Sequence, residues 1–285
     1  MHFDAPRRVL AILVALVIVL VAVGALLSNV GTTRAFILMA TTTSTRDTGL
    51  LSVLLPGFQE DTGIEVRYVA VGTGQALDAG RRGDVDVVMV HAPALEDRFL
   101  AEGHGVCRNG LMFNRFIIVG PTADPANVAA ASSAVEAFRR IAQNQSRFES
   151  RADNSGTHIK ELEIWNLAGL DVSSFGAWYE KTSQGMGGTL TIANERDAYT
   201  LSDDGTWFAR EGALPFLRTL YVGSEPVVRN DYSIIPVNPA IHPTIQVEKA
   251  VAFARWLVGV RAQGVIASFA VNGHRIFTPN PGGNC

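Results

Sequence analysis

Three short stretches concentrate small polar side chains: Thr41-Thr42-Thr43-Ser44-Thr45, Gly72-Thr73-Gly74 and Arg151-Ala152-Asp153-Asn154-Ser155-Gly156-Thr157. Hydroxyls, backbone amides beside glycine and one arginine are hydrogen-bond donors. Donors gathered in this number suit a small, fully desolvated oxyanion. Each stretch alone reads as an ordinary helix cap, because Ser, Thr, Asp and Asn are favoured there. Three together, one carrying an arginine, favour a shared site. No stretch matches Gly-x-x-x-x-Gly-Lys, which disfavours a nucleotide phosphate loop. Asp153, Ser155 and His158 supply the residue types of a nucleophilic triad. The serine and histidine, however, stand only three apart at a predicted helix start, and no Gly-x-Ser-x-Gly elbow occurs. No catalytic residue is therefore assigned. His91, His104, His242 and His274 show no metal-ligand spacing and read as hydrogen-bonded or solvated, so neither a metal nor a cofactor is expected. Trp165, Trp178, Trp207 and Trp256 read as core.

The elements that must carry these donors alternate between strand and helix. Phe36-Ile37-Leu38-Met39-Ala40 predicts a buried strand, and the apolar spacing of Leu50, Leu51, Leu54, Leu55 and Phe58 predicts a helix ended by Gly63. Residues 65–71 predict a second strand, 75–82 a short helix, 86–90 a third strand and 93–102 a third helix. Further along, 116–121 and 234–239 read as strands, and 131–144, 156–168, 246–260 and 262–271 as helices. Alternation at this spacing implies βαβ units around a largely parallel sheet. The three donor stretches then fall where strands end and helices begin, and open α/β sheets bind ligands at the carboxyl ends of their strands.

The chain has 285 residues, 47% hydrophobic and 18% charged, which excludes a disordered or charge-solvated polymer. Its net charge of −3 offers no basic surplus for nucleic acid or acidic membrane surfaces. Two cysteines, Cys107 and Cys285, are too few and too far apart for a zinc ribbon, a redox motif or a disulfide framework. Residues 9–27 are all Val, Leu, Ile, Ala or Gly, preceded by Arg7 and Arg8. This is a secretory signal or a membrane anchor; its length favours the anchor slightly. The arginines keep the first end in the cytoplasm, so the remainder is extracytoplasmic.

Several ordered motifs resemble tungstate-binding proteins of ABC transporters: residues 40–51, 69–77, 90–93, 151–158, Gln184-Gly185-Met186, 192–201, and Val237-Asn238-Pro239-Ala240 with His242. The resemblance spans about residues 36–275. It implies an α/β, two-lobed periplasmic-binding-protein fold of type II, with the ligand cleft between the lobes. After a signal or anchor over 1–34, the first lobe would take 35–117 and 231–285, and the second 118–230. Thr43, Ser44, Gly72, Thr73, Arg151, Ser155, Gly156 and Thr157 become the ligand groups, with Thr42, Asp153, Tyr199 and Thr200 as further candidates. The partners implied are an oxyanion and ABC permease subunits, with the chain itself a monomer. Two features depart from the family. Many members are lipid-anchored or have a cleaved signal, whereas the apolar run here is long and uninterrupted. Ala152 stands where a glycine is expected.

Tungstate, molybdate and sulfate are acceptor-only dianions, whereas phosphate retains a proton part of the time and gains from a carboxylate acceptor. The 151–157 segment also resembles phosphate-binding proteins, so Asp153 could accept a phosphate proton, or hold Arg151 and cap a helix. The Thr-Thr-Thr-Ser run and Gln184-Gly185-Met186 favour tungstate. The alternatives are phosphate transport and a tethered oxyanion sensor. The length of the apolar run predicts a membrane-associated exported chain that retains its first residues. Intact-mass analysis of the exported protein checks this, since a mature chain starting near Leu26 would show a cleaved signal.

Overall fold

A computed structural model describes residues 35–285; the predicted signal or anchor over 1–34 lies outside the described residues. The chain begins with β1 (Phe36–Thr42), which passes directly into α1 (Thr43–Asp47), and continues through α2 (Leu50–Thr62), β2 (Glu65–Val71), α3 (Thr73–Arg82), β3 (Val87–Val90) and α4 (Pro93–Ala101). In α2 the spacing of Leu50, Leu51, Leu54 and Phe58 puts one apolar face inward, and Gly63 ends the helix at φ +72°, a conformation only glycine adopts without cost. The strand–helix alternation read from the sequence is present here, with end points shifted by one to three residues.

The second half departs further from the sequence reading. β4 runs over Asn109–Pro121, twice the predicted length. It is followed by α5 (Ala134–Gln143), β5 (Phe148–Ser150), α6 (Gly156–Leu167), β6 (Tyr179–Lys181), α7 (Met186–Arg196), β7 (Thr200–Asp203), α8 (Asp204–Arg210), β8 (Leu217–Val222) and β9 (Arg229–Pro236). The chain closes with α9 (Val247–Leu257), α10 (Val260–Ser268), the short pair β10 (Ala270–Val271) and β11 (His274–Arg275), and β12 (Thr278–Gly283). Residues 169–233 carry no element in the sequence reading, because their strands are short and lack a clear period.

The main sheet has the order β12-β4-β9-β3-β1-β2. Strands β2, β1 and β3 are parallel, while β9, β4 and β12 join antiparallel. The mixed sheet corrects the largely parallel one expected. Its two faces carry separate cores. Ile37, Met39, Phe58, Phe253 and Leu257 lie on one side, and Ala40, Leu77, Val88, Phe99 and Ile235 on the other. A second pair of cores surrounds the far half of β4: Phe116, Phe138, Phe148 and Trp165 in one, Ile117, Val119, Met186 and Trp207 in the other. Strand β4 pairs with β9 through residues 109–115 and with β7 and β8 from Phe116 onward. It therefore belongs to both halves.

Cys107 and Cys285 form a disulfide across 178 residues of sequence, with their Cα atoms 5.2 Å apart. The cysteine count excluded a disulfide framework; a single bridge is nevertheless present. Antiparallel pairing of β12 with β4 carries the C-terminal end to the start of β4, a long-range register that no local spacing reveals. The Cys285 backbone N–H also donates to Asn109 Oδ1 at 3.0 Å. The bridge closes a very long loop, which in the chain-entropy account stabilises by about 2–5 kcal/mol. Cys285→Ser is expected to lower unfolding free energy by about that amount, measured by denaturant titration, with ligand affinity unchanged because the bridge lies outside the donor cluster.

Candidate functional site

Arg151 follows β5, and its guanidinium is 97% buried. Its Nη2 donates to Asp153 Oδ2 at 2.6 Å, and its Nη1 donates to Thr157 Oγ1 at 3.3 Å and Ser44 Oγ at 3.5 Å. Ser44 lies in α1 and Thr157 in the first turn of α6, so one guanidinium links the two halves of the molecule. Asp153 uses its other oxygen to accept from the Ser155 backbone N–H at 3.1 Å. Both carboxylate oxygens are thus engaged, holding Arg151 and closing the turn into α6.

A second cross-link runs from Gly156 N–H to Thr73 Oγ1 at 3.1 Å. A Cβ on Gly72 would lie 3.7 Å from the Asp153 carbonyl, and one on Gly74 3.9 Å from that of Asn154, so the α3 start rests against the arginine loop. Ser155 caps α6 by accepting from His158 N–H at 3.3 Å. Thr43 reaches the start of α7: its hydroxyl oxygen is 3.6 Å from where a Cβ of Gly185 would sit. This contact brings in the Gln184-Gly185-Met186 stretch, which the sequence flagged as a motif but did not assign to the site.

Hydroxyl protons complete the picture. Ser44, Thr73, Ser155 and Thr157 are all at least 97% buried. Each hydroxyl accepts one hydrogen bond, and none donates to a partner among the described residues. A buried donor without an acceptor costs about 1–3 kcal/mol. Four in one place form a cluster whose chemistry suits an acceptor-only ligand. Two grooves, of about 780 Å³ beside the C-terminal strand and about 680 Å³ beside β2, are lined by none of these residues.

Four candidate residues do not present groups to this cluster. The Thr42 hydroxyl accepts from Thr45 N–H at 3.2 Å and bonds Thr45 Oγ1 at 2.8 Å and His91 Nε2 at 3.2 Å, which fills its capacity. Asp153 is committed as described. The Tyr199 hydroxyl donates to Asp124 Oδ1 and accepts from Ala126 N–H, both at 2.9 Å, with its ring in an aromatic core. Thr200 donates to the Glu149 carbonyl at 2.8 Å. Sequence proximity to a motif drew these in, whereas local strand direction turns them away. Nearby, Asp203 is fully buried and caps α8 through Thr206; burial raises its pKa, against the pull of those bonds and the Arg151 charge.

The candidate triad is not assembled. Ser155 Oγ accepts from the backbone of His158, the His158 ring accepts from Asn154 N–H at 3.1 Å, and Asp153 holds Arg151.

Two α/β halves joined by continuous strands, with buried donors gathered from both, define a two-lobed binding protein. The family model described as "PBP superfamily domain" matches residues 28–261. The tungstate-binding protein TupA of Peptoclostridium acidaminophilum is 41% identical over 251 residues, covering 87% of this chain and 86% of that protein. Among solved structures, the tungstate ABC transporter from Geobacter sulfurreducens aligns with a TM-score of 0.76 and 46% identity over 82% of this chain and 98% of that one. TupA from Desulfovibrio alaskensis G20 aligns at 0.76 and 43% over 87% and 100%. The chain belongs to the PBP superfamily and, within it, to the family of tungstate-binding proteins of ABC transporters.

Ala152 has φ +47°, in the left-handed region that costs an L-residue about 1–2 kcal/mol and glycine almost nothing. This is the position where the family resemblance leads one to expect glycine. Ala152→Gly is expected to raise unfolding free energy by about 1 kcal/mol in denaturant titration, leaving the arrangement of Arg151 and Asp153 unchanged.

Proposed function

We propose that this chain captures tungstate outside the cytoplasmic membrane and delivers it to the permease of an ABC importer. The observation that carries this reading is the buried cluster of uncommitted hydroxyl donors around Arg151, in a chain of the tungstate-binding family. Loss of hydration makes burial of a dianion costly unless donors replace the water. Ser44, Thr73, Ser155 and Thr157 supply neutral donors, Thr43 and the Gly72 turn extend them, and Gly156 packs the α6 start against Thr73. Arg151 supplies the cationic one. Its charge is already partly balanced by Asp153, so the neutral donors carry more of the load than the arginine's charge alone suggests.

Phosphate is disfavoured by the state of Asp153. A site selective for a protonated anion gains from a free carboxylate acceptor, and each Asp153 oxygen already accepts one bond within the protein, which weakens it in that role. Catalysis is disfavoured by the dispersed bonding of Asp153, Ser155 and His158. The same reading assigns lobes to 35–117 with 231–285 and to 118–230, places the changeovers within β4 and β9, and keeps the chain monomeric. Attachment, where it occurs, would be through residues 1–34.

Calorimetric titration of the protein, purified free of metal oxyanions, checks the reading. Tungstate is expected to bind most tightly, molybdate next, and sulfate and phosphate weakly. Tight phosphate binding with no tungstate response would overturn it. Arg151→Lys keeps a cation opposite Asp153 but loses the planar fork. Tungstate affinity is expected to fall about tenfold to a hundredfold, with a smaller gap between tungstate and molybdate in the same titration.

A further inference from the structure

His91 lies immediately after β3, 97% buried, and none of the roles above uses it. Its ring stacks on Tyr232 of β9 with centroids 4.7 Å apart. A Cβ on Gly156 would fall 3.0 Å from the ring, so only glycine at the α6 start leaves room for it. Nδ1 is 2.9 Å from Asn230 Oδ1, and Nε2 is 3.2 Å from Thr42 Oγ1. One side chain thus touches the β1–α1 junction, the α6 start and β9.

The orientation of the Asn230 amide sets the polarity of this network, whose far end is open, since Asn114 Nδ2 is buried without a partner among the described residues. The Asn230 amide nitrogen donates to Asn114 Oδ1 of β4 at 2.7 Å and to the Tyr232 hydroxyl at 3.2 Å, which leaves its oxygen facing His91. With the amide so oriented, an oxygen that only accepts faces the ring, and His91 Nδ1 carries the proton. Burial, reinforced by the Arg151 charge, lowers the imidazole pKa to about 4 against the opposing bond from Asn230, and the ring is neutral near pH 7. Nε2 is then an acceptor, and Thr42 must donate to it. With its proton so used, Thr42 receives Thr45 N–H and the Thr45 hydroxyl, which fixes the residues on either side of Thr43 and Ser44.

We propose that His91 is a positioning residue for oxyanion capture: as its Nδ1–H tautomer it anchors Thr42 to strands β4 and β9, and so holds the Thr43 and Ser44 hydroxyls in place. This rests on the tungstate-binding reading of the same cluster. It gives a physical reason for the histidine within the 90–93 motif, to which the sequence assigns no role.

The test uses variants that imitate one ring nitrogen at a time, in the full chain. His91→Gln places an acceptor near Nε2, whereas His91→Asn places its donor near Nδ1. His91→Phe keeps the stacked shape and loses both bonds. Tungstate affinity is expected to fall about tenfold in the phenylalanine variant, to recover largely in the glutamine variant, and to stay low in the asparagine variant. Equal affinities across the three, with only unfolding stability altered, would overturn the proposal. Nitrogen-15 NMR of the unaltered chain at neutral pH gives a measurement independent of variant folding. A neutral ring protonated at Nδ1 supports the assignment, and one protonated at Nε2 overturns it. If the unaltered chain does not bind tungstate, the functional reading fails, while the tautomer still decides the polarity of His91.

Discussion

A buried guanidinium is the constraint on which the arrangement depends. Arg151 cannot shed its proton, so folding around it requires a compensating charge and oriented acceptors. Asp153, two residues on, provides the charge and ties the loop to the start of α6. Ser44 and Thr157 then accept the other terminal nitrogen from opposite halves of the molecule. Because each hydroxyl accepts from the arginine or from a helix start, its proton is not committed to a partner among the described residues. A structural solution to a buried cation thus produces a cluster of buried donors.

The surrounding fold keeps those donors in register. Strand β1 delivers Thr43 and Ser44, the turn after β2 delivers Thr73, and β5 delivers Arg151 and the α6 start. Strands β1 and β2 belong to the main sheet and β5 to a separate one, and β4 runs between the cores on either side. His91 and Asn230 stand where those strands meet the donor stretches. Hydrogen bonds there are buried on every side, so displacement of one strand relative to the other would strand polar groups without partners.

Legibility from sequence followed the range of the interactions. The first three strands, α2 and α6 have strong local periods or caps, and the sequence reading placed them within a few residues. That Ser44, Thr73, Arg151 and Thr157 lie together was legible because donors cluster where strands meet helices, and because their order resembles a known family. What was not legible depends on long-range partners. The disulfide needs β12 to lie beside β4, and the mixed character of the sheet needs β9 to insert beside β3. Thr42, Tyr199 and Thr200 have suitable side chains in suitable motifs, but strand direction and neighbours commit their hydroxyls elsewhere. The sequence reads His91 as hydrogen-bonded or solvated, within a motif of the resemblance, and its partners stay hidden because neither Asn230 nor Thr42 is near it in sequence.

The central claim is that the uncommitted hydroxyls around Arg151 receive the anion. A crystal structure of the protein with tungstate, phased or checked by tungsten anomalous scattering, tests it most directly. The account predicts one strong tungsten peak between the two halves, with its oxygens within hydrogen-bond reach of Arg151 and of the hydroxyls of Ser44, Thr73 and Thr157. Tungsten bound instead in the groove beside the C-terminal strand, with those hydroxyls unchanged, would contradict it.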